Sequence, residues 1–204
     1  MRPYAFYINS SACSGCKTCQ VACKDKNDLQ PGVNWRRVYD IQGGEWKSAN
    51  GAYISAPFSY NLSISCFNCE IPVCVNSCPT KAIYETENGV VIIDQELCIG
   101  CRYCEWVCPY GAPQFDRDSN RMTKCNLCED YIIFGDKPSC VASCPMRALD
   151  FGSYDEMTKK YGKGVRVFPL PDPEQTKPCM IVKPHKDAGR ANPDTAEALI
   201  RDDL

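Results

Sequence analysis

The sequence predicts an α+β fold of short helices, hairpins and tight loops, and three observations predict it. Seventeen cysteines stand among 204 residues, sixteen of them in four spaced runs. Segments bounded by turn residues separate the runs and carry strand patterns. The apolar content is spread out, with no run approaching the ~20 residues of a membrane span. Hydrophobic residues at 44% and charged residues at 24% are the proportions of a folded chain. The length admits one or two compact domains. Twenty-three basic against 25 acidic residues leave a formal charge of −2, which does not advertise nucleic acid or a membrane surface as a partner. A lone histidine, His185, excludes chemistry that needs several imidazoles.

Taken in chain order, residues 1–10, MRPYAFYINS, show no apolar h-region and no small-residue cleavage site, so no secretory signal is read there. Arg36-Arg37 reads as a solvated strand pair rather than an export signal. The chain is expected to stay in the cytoplasm or to be exported with a partner that carries the address.

Run one is Cys13-x2-Cys16-x2-Cys19-x3-Cys23. Run two is Cys66-x2-Cys69-x4-Cys74-x3-Cys78, followed by Pro79. Run three is Cys98-x2-Cys101-x2-Cys104-x3-Cys108, followed by Pro109. Run four is Cys125-x2-Cys128-x11-Cys140-x3-Cys144, followed by Pro145. Runs one and three have the spacing of bacterial two-cluster ferredoxins. A cubane [4Fe–4S] core has four iron corners and takes a soft thiolate at each. Three cysteines two residues apart wrap one loop around three corners, and the fourth reaches the neighbouring cluster. That fourth cysteine is expected at the start of a short helix, where the following proline sacrifices no hydrogen bond. Disulfides are a poor use of repeated C-x2-C pairs. Structural zinc is the stronger rival, but its sites join two pairs across a spacer, whereas runs one and three add a third cysteine at once.

The 42 residues 24–65 are too long for a ferredoxin connector and read as an inserted β region. Gly43-Gly44 and Asn50-Gly51 mark turns there. Tyr53–Ser65 reads as one strand with Ile54, Ala56, Phe58, Tyr60, Leu62 and Ile64 on a common face, serving either to cover cluster loops or to dock a partner. Between runs two and three, a helical turn is expected at Pro79–Ala82. A hairpin of Ile83–Thr86 and Val90–Ile93 follows, turning on Asn88-Gly89, and Asp94 ends it. Tyr154–Tyr161 has the pattern of a short amphipathic helix. Beyond it, Pro169, Pro171, Pro173, Pro178, Pro184 and Pro193 predict an extended tail without regular structure that lies on a surface. Cys179 and His185 read as a spare thiol and a solvated side chain.

Several stretches go beyond cluster ligation: Cys13-Ser-Gly-Cys-Lys-Thr-Cys19, Ala22-Cys-Lys-Asp25, Leu62-Ser-Ile-Ser-Cys66, Cys98-Ile-Gly-Cys-Arg-Tyr-Cys104, Cys108-Pro-Tyr-Gly-Ala-Pro113, Met122-Thr-Lys-Cys125, Ser143-Cys-Pro145 and Thr176-Lys-Pro178. With the four runs they resemble the iron–sulfur (beta) subunit of the dimethyl sulfoxide reductase family, from about Tyr4 to Pro184. The resemblance implies two ferredoxin-like domains nested in one chain, run one pairing with run four and run two with run three. It implies four [4Fe–4S] clusters. Their ligands are Cys13, Cys16, Cys19 and Cys144; Cys23, Cys125, Cys128 and Cys140; Cys66, Cys69, Cys74 and Cys108; and Cys78, Cys98, Cys101 and Cys104. Related nitrate reductase subunits carry Trp where Cys101 stands and hold a three-iron cluster there. The domains so implied are 1–29 with 109–150, then 66–108, with 30–65 the insert and 151–204 a helix and docking tail.

No nucleophile–base pair, phosphate-binding loop or nicotinamide fingerprint is present, so the chain reads as an electron carrier that is not an enzyme on its own. Lys24, Arg102 and Lys124 adjoin cluster cysteines and read either as cations that raise local potentials or as solubilising residues. Tyr103, Trp106 and Tyr110 are expected to exclude water from a cluster. The resemblance implies two partners, a molybdopterin-guanine-dinucleotide catalytic subunit and an integral membrane, quinol-oxidising anchor. It places the assembly on the outer, periplasmic face of the cytoplasmic membrane. A formate dehydrogenase or hydrogenase complex is the alternative setting, and a zinc-stapled binding module the alternative class.

Overall fold

The structure is a computed structural model and describes residues 4–200; residues 1–3 and 201–204, the outer ends of the first and last segments above, lie outside the described residues. Strand Tyr4–Asn9 is the centre of one three-stranded sheet, antiparallel to Leu149–Ser153 and parallel to Met180–Lys183. Its run Ala5, Phe6, Tyr7, Ile8 is buried on both faces, as a central strand demands. Phe6 and Ile8 face the main core with Leu149 and Phe151. Ala5 and Tyr7 face a second core with Met157, Cys179 and Ile181.

That second core is covered by helix Tyr154–Tyr161, which forms where the pattern predicts it. Ser153 and Glu156 close a reciprocal capping box at its start, satisfying backbone N–H groups that the first turn leaves free. The Tyr161 ring stacks on Tyr7 at 3.6 Å between centroids.

A second sheet has Arg37–Gly43 at its centre, antiparallel to both Phe58–Ile64 and Ala196–Ile200. Phe58, Tyr60, Leu62 and Ile64 are buried and alternate, as read from the sequence. The single strand predicted over Tyr53–Ser65 is instead broken at Ala56-Pro57. Its first part, Ala52–Ser55, pairs with Trp46–Ala49 in a hairpin whose residues are all exposed, so Ile54 leaves the common face. Asn50 and Gly51 both take positive φ and close that hairpin with a two-residue turn.

Three further corrections concern local geometry. Hairpin Ile83–Glu85 with Val91–Ile93 forms, but its turn is wider than the Asn88-Gly89 pair alone. Gly89 N–H donates to Thr86 O and Thr86 N–H to Val90 O, with only Gly89 at positive φ, so the loop is a turn plus bulge. Pro79–Ala82 is a turn rather than helix, because Lys81 adopts φ 57°. The fourth cysteine of each run does not open a helix. Cys23 lies in the later half of Thr18–Lys26, while Cys78, Cys108 and Cys144 follow Val73–Asn76, Tyr103–Val107 and Ser139–Ala142.

The proline-rich segment carries more order than its prolines suggest. Pro178 and Pro184 leave room for strand Met180–Lys183, and Ala196–Ile200 follows the last proline. Cys179 is 1% exposed in the second core. His185 is half-buried, its ring stacked on Tyr60 at 5.4 Å, and its Nδ1 accepts from Asp187 N–H. Arg36 and Arg37 are not solvated: both are buried, and Arg37 Nη2 donates to Tyr110 O at 2.8 Å.

Candidate iron–sulfur sites

Runs one and three build matching loops. The residue before the second cysteine is glycine at positive φ, Gly15 at 71° and Gly100 at 66°. The residue after it is also left-handed, Lys17 at 59° and Arg102 at 65°. Two left-handed residues bracketing one cysteine curl the chain so that three thiols face a common centre. A Cβ at Gly100 would collide with Asn120 O, so only glycine fits. Each Cys-Pro pair turns again at the third residue, with Lys81, Gly111 and Arg147 at positive φ. This turn aims backbone donors at sulfur: Ala112 N–H lies 3.5 Å from Cys108 Sγ and Ala148 N–H 3.3 Å from Cys144 Sγ. The recurring Cys-Pro-x-x-Ala pattern was the sequence signal for it.

These loops bring distant thiols together. One cavity is lined by Cys13, Cys16, Cys19 and Cys144. A second is lined by Cys66, Cys69, Cys74 and Cys108. A third is lined by Cys78, Cys98, Cys101 and Cys104. Cys23, Cys125, Cys128 and Cys140 are all buried and interact electrostatically with one another. Cys19 also feels Cys140, Cys125 feels Cys66, and Cys74 packs in one apolar cluster with Cys78, Cys98 and Cys104, so the groups follow one another through the molecule. Exposed cysteines occur only in the outer groups, Cys16 in the first and Cys101 in the last.

Burial disfavours the bare thiolate at most of these positions. It pushes the Cys13 thiol up to about 11 and the Cys23, Cys74 and Cys104 thiols up to about 12, with neighbouring cysteines adding to the effect. Cys69 and Cys125 are pushed higher still. Cys16 is lowered by hydrogen bonds from Thr18. At Cys78, burial is outweighed by backbone N–H groups of Ile83 and Ala82 and by Thr80. Protonated sulfur in such sites is exchanged for a soft metal centre when one binds.

The donor set tests well against an iron–sulfur core. Each of the three cavities presents four cysteine thiols and no His, Asp or Glu side chain. Met122 N–H and Leu127 N–H lie 3.4 Å from Cys98 and Cys125 Sγ, the kind of donors that stabilise charge on sulfur. Among the described residues no three His, Cys, Asp or Glu side chains converge tightly enough to hold one metal ion.

Of the three cations singled out by sequence, one touches sulfur. Lys124 is buried, its Nζ 3.8 Å from Cys66 Sγ and 2.9 Å from Cys125 O, with a further bond to Val91 O. Lys24 instead ties down Gln30 O and Val33 O, and Arg102 pairs with Glu105 at the surface. The residue sequence reading missed is Arg36, whose Nη2 stands 3.3 Å from Cys140 Sγ. Nothing local marked it, since its partners come from distant elements, Cys140 from helix Ser139–Ala142 and Ser63 from strand Phe58–Ile64. Among the aromatics, Tyr110 lines the second cavity, packed edge-on against Phe67 and bonded to Thr176 at 2.9 Å. Tyr103 lines the third cavity while remaining 51% exposed, whereas Trp106, 77% exposed, lines none of the three cavities. The tail clamps run two through Ile71 N–H to Thr176 O and Cys179 N–H to Phe67 O, which explains the Thr176-Lys-Pro178 stretch.

Thiol groups around voids, set on ferredoxin-type loops in a mixed α/β chain, define an iron–sulfur protein. Residues 58–154 match the 4Fe-4S dicluster domain family. The chain is 50% identical over 185 residues to the B subunit of anaerobic dimethyl sulfoxide reductase of Escherichia coli (strain K12), covering 91% of this chain and 90% of that one. It is 35% identical over 192 residues to the B subunit of polysulfide reductase of Wolinella succinogenes, covering 92% and 97%. It is 36% identical over 159 residues to the iron-sulfur subunit of nitrate-inducible formate dehydrogenase of Escherichia coli (strain K12), covering 74% and 54%. The chain belongs to the family of dimethyl sulfoxide reductase iron–sulfur subunits. Among the described residues, no helix is long and apolar enough to cross a membrane.

Proposed function

We propose that the chain carries four [4Fe–4S] clusters on the sixteen cysteines of its four runs and relays electrons from a quinol-oxidising membrane anchor to a molybdopterin catalytic subunit. Each bound cluster supplies one-electron storage; the chain holds it, insulates it and sets its potential. The observation that carries this reading is the sequence of thiol groups, the interior ones buried or half-buried and exposed cysteines found only in the two outer groups. A relay needs that arrangement, because electrons enter and leave at partners' surfaces while the middle stays dry. The ligand sets are Cys13, Cys16, Cys19, Cys144; Cys23, Cys125, Cys128, Cys140; Cys66, Cys69, Cys74, Cys108; and Cys78, Cys98, Cys101, Cys104. Two nested ferredoxin-like domains follow from them, 1–29 with 109–150 and 66–108, with 30–65 an insert and 151–204 a docking tail. The assembly sits on the outer face of the cytoplasmic membrane, exported with the catalytic partner.

A formate dehydrogenase complex is the second setting, favoured by the 36% identity above. The dimethyl sulfoxide reductase setting is preferred because the match there spans both chains almost completely. Anaerobic isolation with iron and acid-labile sulfide analysis tests the cofactor reading. About sixteen irons per chain and reduced-state paramagnetic signals are expected. About one zinc per four cysteines, without sulfide, would instead establish a zinc-stapled module. Identification of the co-purifying large chain and its substrate separates the two settings.

A further inference from the structure

Arg36 is 1% exposed, the largest fully buried side chain among the described residues. Its Nη2 donates to Cys140 Sγ at 3.3 Å and its Nη1 to Ser63 O at 3.5 Å. Ser63 Oγ in turn lies 3.4 Å from Cys19 Sγ. The guanidinium rests 4.3 Å above the Phe6 ring, and its Nε has no hydrogen-bond partner among the described residues. Among the described residues, Arg36 makes no ion pair to Asp or Glu.

A permanently charged group stripped of water costs several kcal/mol unless an anion compensates it. Burial disfavours the Arg36 charge, but the strongest groups acting on it, the cysteines Cys140, Cys19, Cys125 and Cys23, favour it and hold the guanidinium charged. Cys19 belongs to the first thiol set and the other three to the second. The forked guanidinium, with five N–H donors in one plane, suits such a two-sided position.

Building on the four-cluster reading, we propose that Arg36 is a single fixed cation shared by the first two clusters, a positioning charge that raises the reduction potential of both. Reduction of either cluster adds one electron, and hence one negative charge, beside a cation that is already in place. The charge neither moves nor titrates, so both reductions are favoured without proton uptake at Arg36. Lys124 is a different cation: the thiol it touches belongs to the third set, and toward the second set it donates only to the backbone carbonyl of Cys125.

The test is a redox titration of the full complex followed by paramagnetic resonance. Signals are first assigned with one Cys→Ser variant per set. Arg36→Gln should lower the reduction equilibrium constants of the first two clusters by about tenfold each, or about 59 mV per one-electron couple, and leave the other two unmoved. Arg36→Lys keeps a charge but loses the fork, so the two potentials should shift unequally. An Arg36→Gln protein with full iron and no shift, or with a shift in one cluster only, overturns the proposal. If Arg36→Gln fails to hold iron, Arg36→Lys decides alone, and equal movement of both potentials, zero included, overturns it. Wild-type protein without four clusters refutes the underlying reading before any variant is made, so the two failures are distinct.

Discussion

Replacing Lys124 by Met separates charge from packing at the junction between runs two and four. Methionine fills nearly the same space, so the cavity term is small. What is lost is the ammonium, which donates to Val91 O and Cys125 O and stands 3.8 Å from Cys66 Sγ. Two buried carbonyls left without partners cost about 1–3 kcal/mol each, so the folded chain should lose roughly 2–6 kcal/mol. The electrostatic effect is separate. A unit charge about 4 Å away at an effective dielectric of 20 is worth about 4 kcal/mol. An electron spread over a whole cluster lies further off on average and feels roughly half of that. At about 59 mV per 1.4 kcal/mol, the potential of the cluster at Cys66 should fall by about 90 mV. Titration of the assembled complex reads the potential, and chemical denaturation reads the stability. An unmoved potential in a variant with full iron content would refute the electrostatic reasoning and leave Lys124 as a structural plug.

Asp150 accepts bonds from Lys137, Lys160 and Tyr161, which more than offset burial and hold its carboxyl well below the usual range. Its folded pKa is depressed, so the stabilisation is complete above about pH 5 and is lost as pH falls through the folded value. Both lysines are more than half exposed, so Asp150→Asn should cost only about 1–2 kcal/mol near neutrality and flatten the acid limb of a pH-dependent denaturation series. Gly100→Ala forces a side chain into Asn120 O at positive φ; a destabilisation of about 1–3 kcal/mol is expected, with preferential loss of iron from the set containing Cys98 and Cys101. Serine at exposed Cys101 should disturb one cluster and spare the rest. Serine at buried Cys125 should depress total iron by more than four atoms per chain, because it sits against both the second and third thiol sets. Iron analysis of the two variants side by side decides this, and equal losses would argue against the interior position of Cys125.

What the chain determines locally can be read from its letters. Cysteine spacing carries the loops because three thiols two residues apart must curl around one centre, whatever surrounds them. Ser153 and Glu156 announce a capped helix, and the alternation from Phe58 to Ile64 announces a buried strand face. Asn50-Gly51 makes its two-residue hairpin, yet Asn88-Gly89 does not, because there Asn88 stays at negative φ and a bulge absorbs the extra residue.

The rest was decided at distance. Arg36-Arg37 looks like an exposed pair until the two three-stranded sheets set Ser63 and Phe6 against Arg36 and the turn after Cys108 brings Tyr110 O to Arg37. The prolines of the tail hide two strands whose partners, Tyr4–Asn9 and Arg37–Gly43, lie more than 150 residues earlier in the chain. The meeting of Cys144 with Cys13, Cys16 and Cys19 in one cavity is likewise a product of chain closure, not of spacing. Periodicity and turn chemistry act over a few residues and are written in the sequence. Burial of a charge, and the pairing of strands far apart, depend on which surfaces the folded chain brings into contact, and only the tertiary structure holds that information.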